Sequence, residues 1–155
     1  MIVKNECQAL CVAMEMERRA IQVYERALML AKDPEVVAGI KEILEDEKEH
    51  LQRFGEMKAN YPVPEEEERL LISSMAAEVL FTGGVMEMKR EQALTTLRGL
   101  YQYAADSEAD AVRTYAEFAQ KCADPAVHDV FMEIVREEST HLVDLRARLN
   151  ELDND

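Results

Sequence analysis

Apolar residues recur along most of this chain at steps of three and four, the spacing that lines one face of an α-helix. From about Cys7 to Ala31 the stripe reads Leu10, Ala13, Ala20, Tyr24, Ala27 or Leu28, and Ala31, with Glu17 inside it. A second stripe, Val36, Ile40, Ile43, Phe54 and Met57, carries Glu47 and His50 at its centre and predicts a helix to about Ala59. The third starts between Met86 and Ala93, runs to about Lys121, and reads Leu94, Leu97, Tyr101, Ala104, Glu108, Ala111, Tyr115, Phe118 and Cys122. A fourth reads Val127, Val130 or Phe131, Ile134, Glu138, His141, Leu145, Leu149 and Leu152. Ionisable groups thus occupy positions where a core is expected.

Boundaries come from local chemistry. Asp33-Pro34 and Asp124-Pro125 each supply a capping carboxylate followed by a first-turn proline, so a helix opens at both. Tyr61-Pro62-Val63-Pro64 closes the second helix. The run Glu65 to Glu68 suits the positive first turn of a short helix reaching Leu80 or Phe81, with Leu70, Leu71, Met75 and Val79 on its apolar side and Thr82-Gly83-Gly84 as its break. Leu149-Asn150 and the acidic end, Asp153-Asn154-Asp155, are expected to fray.

One fixed offset takes Glu17 to Glu108, Tyr24 to Tyr115, Asp33-Pro34 to Asp124-Pro125, Ile43 to Ile134, Glu47 to Glu138 and His50 to His141, with no gap. Helical composition alone would match some Ala and Glu, but not the His, the Tyr and the Asp-Pro together. The chain therefore reads as one all-α domain over residues 1–155, made of a helical hairpin at about 7–59, a crossover at about 60–90 and a second copy of the hairpin at about 91–151. Each hairpin is too small to bury its apolar face alone. Joined end to end by a crossover, the two make a four-helix bundle.

Composition narrows the partners. Five Gly and four Pro in 155 residues agree with a helical protein. A formal net charge of −14 repels nucleic acid and anionic membranes, so neither is an expected partner. The three cysteines, Cys7, Cys11 and Cys122, form no Cys-x-x-Cys, which leaves no rubredoxin-type or zinc-ribbon module and suggests a reducing compartment. The only apolar run near the start is Ala9 to Met14, so no signal peptide or membrane span is expected and the location read is cytoplasmic.

Burying Glu17, Glu47, Glu108 and Glu138 together is prohibitive unless their charge is compensated. Two divalent cations would neutralise the four carboxylates, with His50 and His141 as neutral nitrogen ligands, one for each ion. Glu47/His50 and Glu138/His141 stand three residues apart, about one helical turn, so each pair can reach a single point. Taken singly, Glu47 would be a solvated residue of an acidic run and His50 a core or boundary histidine; their recurrence changes that reading. His128 has no counterpart and is assigned to surface or packing. Glu15, Glu49, Asp106 and Glu137 point away from the stripe, either solvated or standing behind the ligands, and most of the nine Met are read as packing residues.

Glu17-x6-Tyr24 with Glu47-x2-His50, repeated as Glu108-x6-Tyr115 with Glu138-x2-His141, resembles the rubrerythrin branch of the ferritin-like superfamily over roughly residues 8–58 and 98–149. The resemblance implies that Glu47 and Glu138 bridge two metals while Glu17 and Glu108 hold them terminally. It also implies that Tyr24 and Tyr115 hydrogen-bond ligand carboxylates across the bundle; read alone, both fit as core aromatics. It departs at one point. Many rubrerythrins carry a further Glu on the third helix, where Ala105 and Ala111 flank Glu108 here.

Three functions follow as alternatives. The first is a di-iron oxidoreductase that reduces peroxide or O₂ with electrons from an external donor such as a rubredoxin-like protein. The second is a ferroxidase that takes Fe²⁺ as substrate for storage or transfer. The third is a bundle that binds metal without turnover. Iron is the expected metal, with Mn or Zn as substitutes for the same oxygen and nitrogen ligands, and bundles of this type pair as homodimers.

Overall fold

The computed structural model of the chain describes residues 3–75 and 94–154. Five helices and no strand lie among the described residues. They are α1 (Glu6–Leu30), α2 (Pro34–Lys58), α3 over 65–75, α4 (Leu97–Lys121) and α5 (Pro125–Asn154).

The Asp-Pro signals act as read. Asp33 accepts a hydrogen bond from the Glu35 N–H at 2.9 Å, and Asp124 accepts one from the Ala126 N–H at 2.9 Å. Such caps each contribute about 1 kcal/mol. The start of the third predicted helix needs correction. Residues 94–96 form a turn, and α4 opens at Leu97 behind Thr96, whose hydroxyl accepts from the Gly99 N–H at 3.0 Å. Leu94 is buried ahead of the helix, which is why it prolongs the apolar stripe in sequence. Positions 86–93 lie outside the described residues.

Two further expectations are corrected. The acidic end does not fray before Asn154, because Arg98 of α4 reaches Asp153 at 2.7 Å and ties the last turn down. On α3, Met75 is buried and Leu71 packs against the core, but Leu70 is 56 % exposed. Neighbouring residues stand about 100° apart around a helix, so Leu70 and Leu71 cannot share its inner face. Val79, the Leu80 or Phe81 terminus and the Thr82-Gly83-Gly84 break lie outside the described residues.

The core has two apolar clusters. One gathers Leu10, Val12, Phe54, Tyr115, Phe118, Phe131 and Ile134; the other gathers Ile21, Tyr24, Ile40, Leu44, Leu100, Ala104 and Leu145. Each fully buried Leu, Ile or Phe adds about 1.5–3 kcal/mol. On every long helix one Glu falls between the two clusters: Glu17 on α1, Glu47 on α2, Glu108 on α4 and Glu138 on α5. The order of clusters along each helix shows that α1 and α5 run one way and α2 and α4 the other. The end of α2 and the start of α4 therefore lie at opposite ends of the bundle. α1 packs chiefly on α2 and α4 on α5, while contact between the pairs is slighter. Gly39 marks a close approach of α2 and α4, since a Cβ there would stand 3.1 Å from Leu100 Cδ2.

Candidate metal centre

The layer between the clusters is polar and mostly buried. Glu17, Glu47, His50, Glu108 and Glu138 are all buried, and His141 is one-third exposed at its side chain. Each arrives there because its helix places it on the inward stripe, one or two turns from an apolar neighbour that anchors the helix.

Glu17, Glu47, His50 and Glu138 each offer a ligand atom, and these atoms lie within 4.8 Å of one another. Atoms binding one ion at about 2.1 Å stand at most about 4.2 Å apart, so a small contraction would let this group hold a metal ion. Across the layer, His141 Nδ1 lies 3.8 Å from Glu108 Oε1. The two imidazoles face each other with centroids 6.4 Å apart and planes 20° from parallel. Thus all six predicted ligands share one layer, four in a tight group and two at its other side.

The buried atoms left without a hydrogen bond among the described residues are five: Glu17 Oε2, Glu108 Oε2, Glu138 Oε2, His50 Nδ1 and His141 Nδ1. Each belongs to a predicted ligand. His50 Nδ1 lies only 2.7 Å from Glu138 Oε1, yet without the alignment of a hydrogen bond, as expected of two donors converging on a third atom. An unpaired buried polar atom costs about 1–3 kcal/mol. The layer that holds these atoms contains the buried group Glu17, Glu47, His50 and Glu138, which could hold a metal ion.

The electrostatics agree. Burial pushes the Glu108 carboxyl up to about 9, helped by Glu138 and Glu47. Burial also raises Glu17 well above the ordinary carboxylate range, with Glu47 adding to it and the Tyr115 hydroxyl opposing. Glu47 is raised chiefly by burial as well. For His50 burial works to lower the value, but Glu138, Glu47 and Glu137 outweigh it and the net shift is upward. Without positive charge the layer holds protons instead.

Tyr115 donates to Glu17 Oε1 at 2.7 Å, across the bundle from α4 to α1. Tyr24 is equally buried, beside Tyr103 and within the field of Glu47 and Glu108. Ala105 is buried and Ala111 packs on the core, so neither supplies a ligand beside Glu108. Glu15 pairs with Arg18 and Arg19, and Asp106 accepts from Gln102, both away from the layer.

Two residues that matter escaped the sequence reading. His50 Nε2 lies 3.5 Å from Glu137 of α5, and His141 Nε2 lies 3.6 Å from Asp46 of α2. Each imidazole thus turns its outer nitrogen to a carboxylate of the other helix pair and its Nδ1 toward the layer. Asp46 was missed, although the repeat offset sets it on Glu137 and both precede the ligand Glu. The other residue is Arg53, which grips Glu133 at 3.0 Å and Glu137 at 2.5 Å.

Among the described residues no helix is long and apolar enough to cross a membrane. No family model matches the chain, and no curated protein or solved structure matches it either.

Proposed function

We propose that this chain is a non-haem di-iron redox protein on a ferritin-like bundle, similar to the rubrerythrins, that reduces peroxide or O₂ with electrons from an external donor. In this reading Glu17, Glu47, His50 and Glu138 hold one ion, and Glu108 and His141 hold a second with Glu47 and Glu138 between them. The observation that carries it is the five unpaired buried atoms, all on those ligands. When bound, such a pair of ions supplies two one-electron oxidations, the number needed to split hydrogen peroxide with two protons into two waters.

The chain's own residues prepare that site. Tyr115 fixes the rotamer of Glu17 through its 2.7 Å hydrogen bond. Asp46 and Glu137 stand 3.6 Å and 3.5 Å from the outer nitrogens of His141 and His50, and their negative charge favours an N–H on that side of each ring. The apolar clusters above and below leave charge in the layer poorly screened, so its carboxylates act strongly on any cation that enters.

A second reading, oxidation of Fe²⁺ for storage or transfer, is favoured by the partial exposure of His141. Anaerobic loading with Fe²⁺ followed by stopped-flow mixing with hydrogen peroxide separates the two. The proposal expects one peroxide consumed for every two Fe²⁺, renewed when a reduced rubredoxin is supplied. Many Fe²⁺ oxidised per chain would favour the second reading, and no change in absorption would reject both.

A further inference from the structure

The two ends of the polar layer are related by the repeat offset, yet they are not closed alike. His50 has a side-chain exposure of 3 %, His141 of 33 %. One pair of positions beside the two histidines differs in charge. Arg53, one turn after His50, lies over that end and clamps Glu133 and Glu137 of the opposite helix. The offset that takes His50 to His141 takes Arg53 to Asp144. The cation over the second end is Arg148, a further turn along α5, where it reaches Glu42 at 3.4 Å, Asp144 at 3.1 Å and the face of Tyr101 at 5.5 Å. One turn is about 5.4 Å, enough to leave His141 uncovered among the described residues.

The uncovered end has an acidic rim. Asp46 stands against His141, Asp144 follows it one turn along α5, and Glu42, like Asp144 more than half exposed, is joined to Asp144 through Arg148. Behind the rim lie His141 Nδ1 and Glu108 Oε2, both buried and unpaired, on side chains of which Glu108 is 93 % buried. Carboxylates outside and unpaired ligand atoms inside form a graded path for a cation.

From this asymmetry we infer that the His141 end is the port through which divalent cations reach the layer, and that the Glu108/His141 position exchanges its ion while the position at His50 retains it. The inference rests on the dinuclear reading above. Asp46 and Asp144 attract and pass the cation, and the identity of the residue one turn after each histidine, Arg53 or Asp144, decides which end is shut.

The test uses Co²⁺ alone, followed by its visible absorption, with no turnover involved. The wild-type protein is titrated to saturation and then mixed with excess chelator in a stopped-flow instrument. Two Co²⁺ per chain leaving in two phases are expected. Asp144→Arg, which places the shutting residue at the open end, slows the fast phase by about tenfold or more and leaves the slow phase unchanged. Arg53→Met, which keeps the aliphatic stem and removes the guanidinium, speeds the slow phase. Asp144→Asn, a change of charge alone, slows Co²⁺ uptake and weakens its dependence on salt. Two bound Co²⁺ with both phases unmoved in a helical Asp144→Arg protein would overturn the port while leaving the dinuclear reading intact. Wild-type protein that saturates below two Co²⁺ would overturn the dinuclear reading and the port with it.

Discussion

Replacing Glu108 by Gln should stabilise the metal-free protein, by an amount that grows with pH. Burial, with Glu138 and Glu47 behind it, puts the folded-state value of Glu108 near 9, against 4.5 for an ordinary glutamate. A raised carboxyl contributes stability that is complete below the unfolded value and is lost as pH climbs toward the folded one. Each pH unit within that window is worth about 1.4 kcal/mol, so from about pH 5 to pH 7 the folded state loses about 2–3 kcal/mol through this one group. For a chain of this size the loss lowers Tm by roughly 5–10 °C. Glutamine mimics the protonated acid in shape and polarity and cannot ionise. Calorimetric melts of chelator-stripped wild type and Glu108→Gln should therefore coincide near pH 4.5 and separate steadily above it, the variant melting higher. Glu17, Glu47 and His50 are shifted upward too and steepen the fall in both proteins, which is why the difference between the two is the measured quantity. With Co²⁺ bound the order should reverse, because the carboxylate then has its counter-charge. A variant no more stable than wild type at pH 7 without metal would refute the claim that this carboxylate is buried at a cost.

Three further outcomes are expected. Glu47→Ala combined with Glu138→Ala should abolish tight binding of both ions by calorimetric titration; an unchanged stoichiometry of two would rule out the ligand set. Tyr115→Phe removes the hydrogen bond that orients Glu17 and should weaken the tighter ion by about 10–100-fold, with little change in stoichiometry. Phe131→Ala empties a site ringed by Phe54, Tyr115 and Phe118 and should cost about 3–5 kcal/mol in urea unfolding; a loss below about 1 kcal/mol would mean that the aromatic cluster repacks.

Much of this was legible in the sequence because helices write their inner face at fixed steps. Glu17, Glu47, His50, Glu108 and Glu138 are buried as their stripe positions require. The Asp-Pro pairs marked two helix starts because cap chemistry is local. What stayed hidden depends on neighbours distant in the chain. Leu94 continued the stripe, so nothing local announced that Thr96 would cap α4. Arg98 pinning Asp153 joins residues on two helices, and the tail alone gives no sign of it. His50 and His141 carry one motif and look equivalent, but their cover comes from side chains beyond it. Identities between the two halves pointed to the buried polar layer; the difference between Arg53 and Asp144 lies outside the repeated motif.

The slight contact between the α1–α2 pair and the α4–α5 pair gives the polar layer a mechanical role. The link from Tyr115 to Glu17 and that from each imidazole to its opposing carboxylate span the seam between those pairs. Empty of cations, that seam is lined with carboxyls whose burial favours their protonated form. In the di-iron reading proposed above, bound ions would rivet the two pairs from within, so that tightening of the whole body and uptake of ions become a single event.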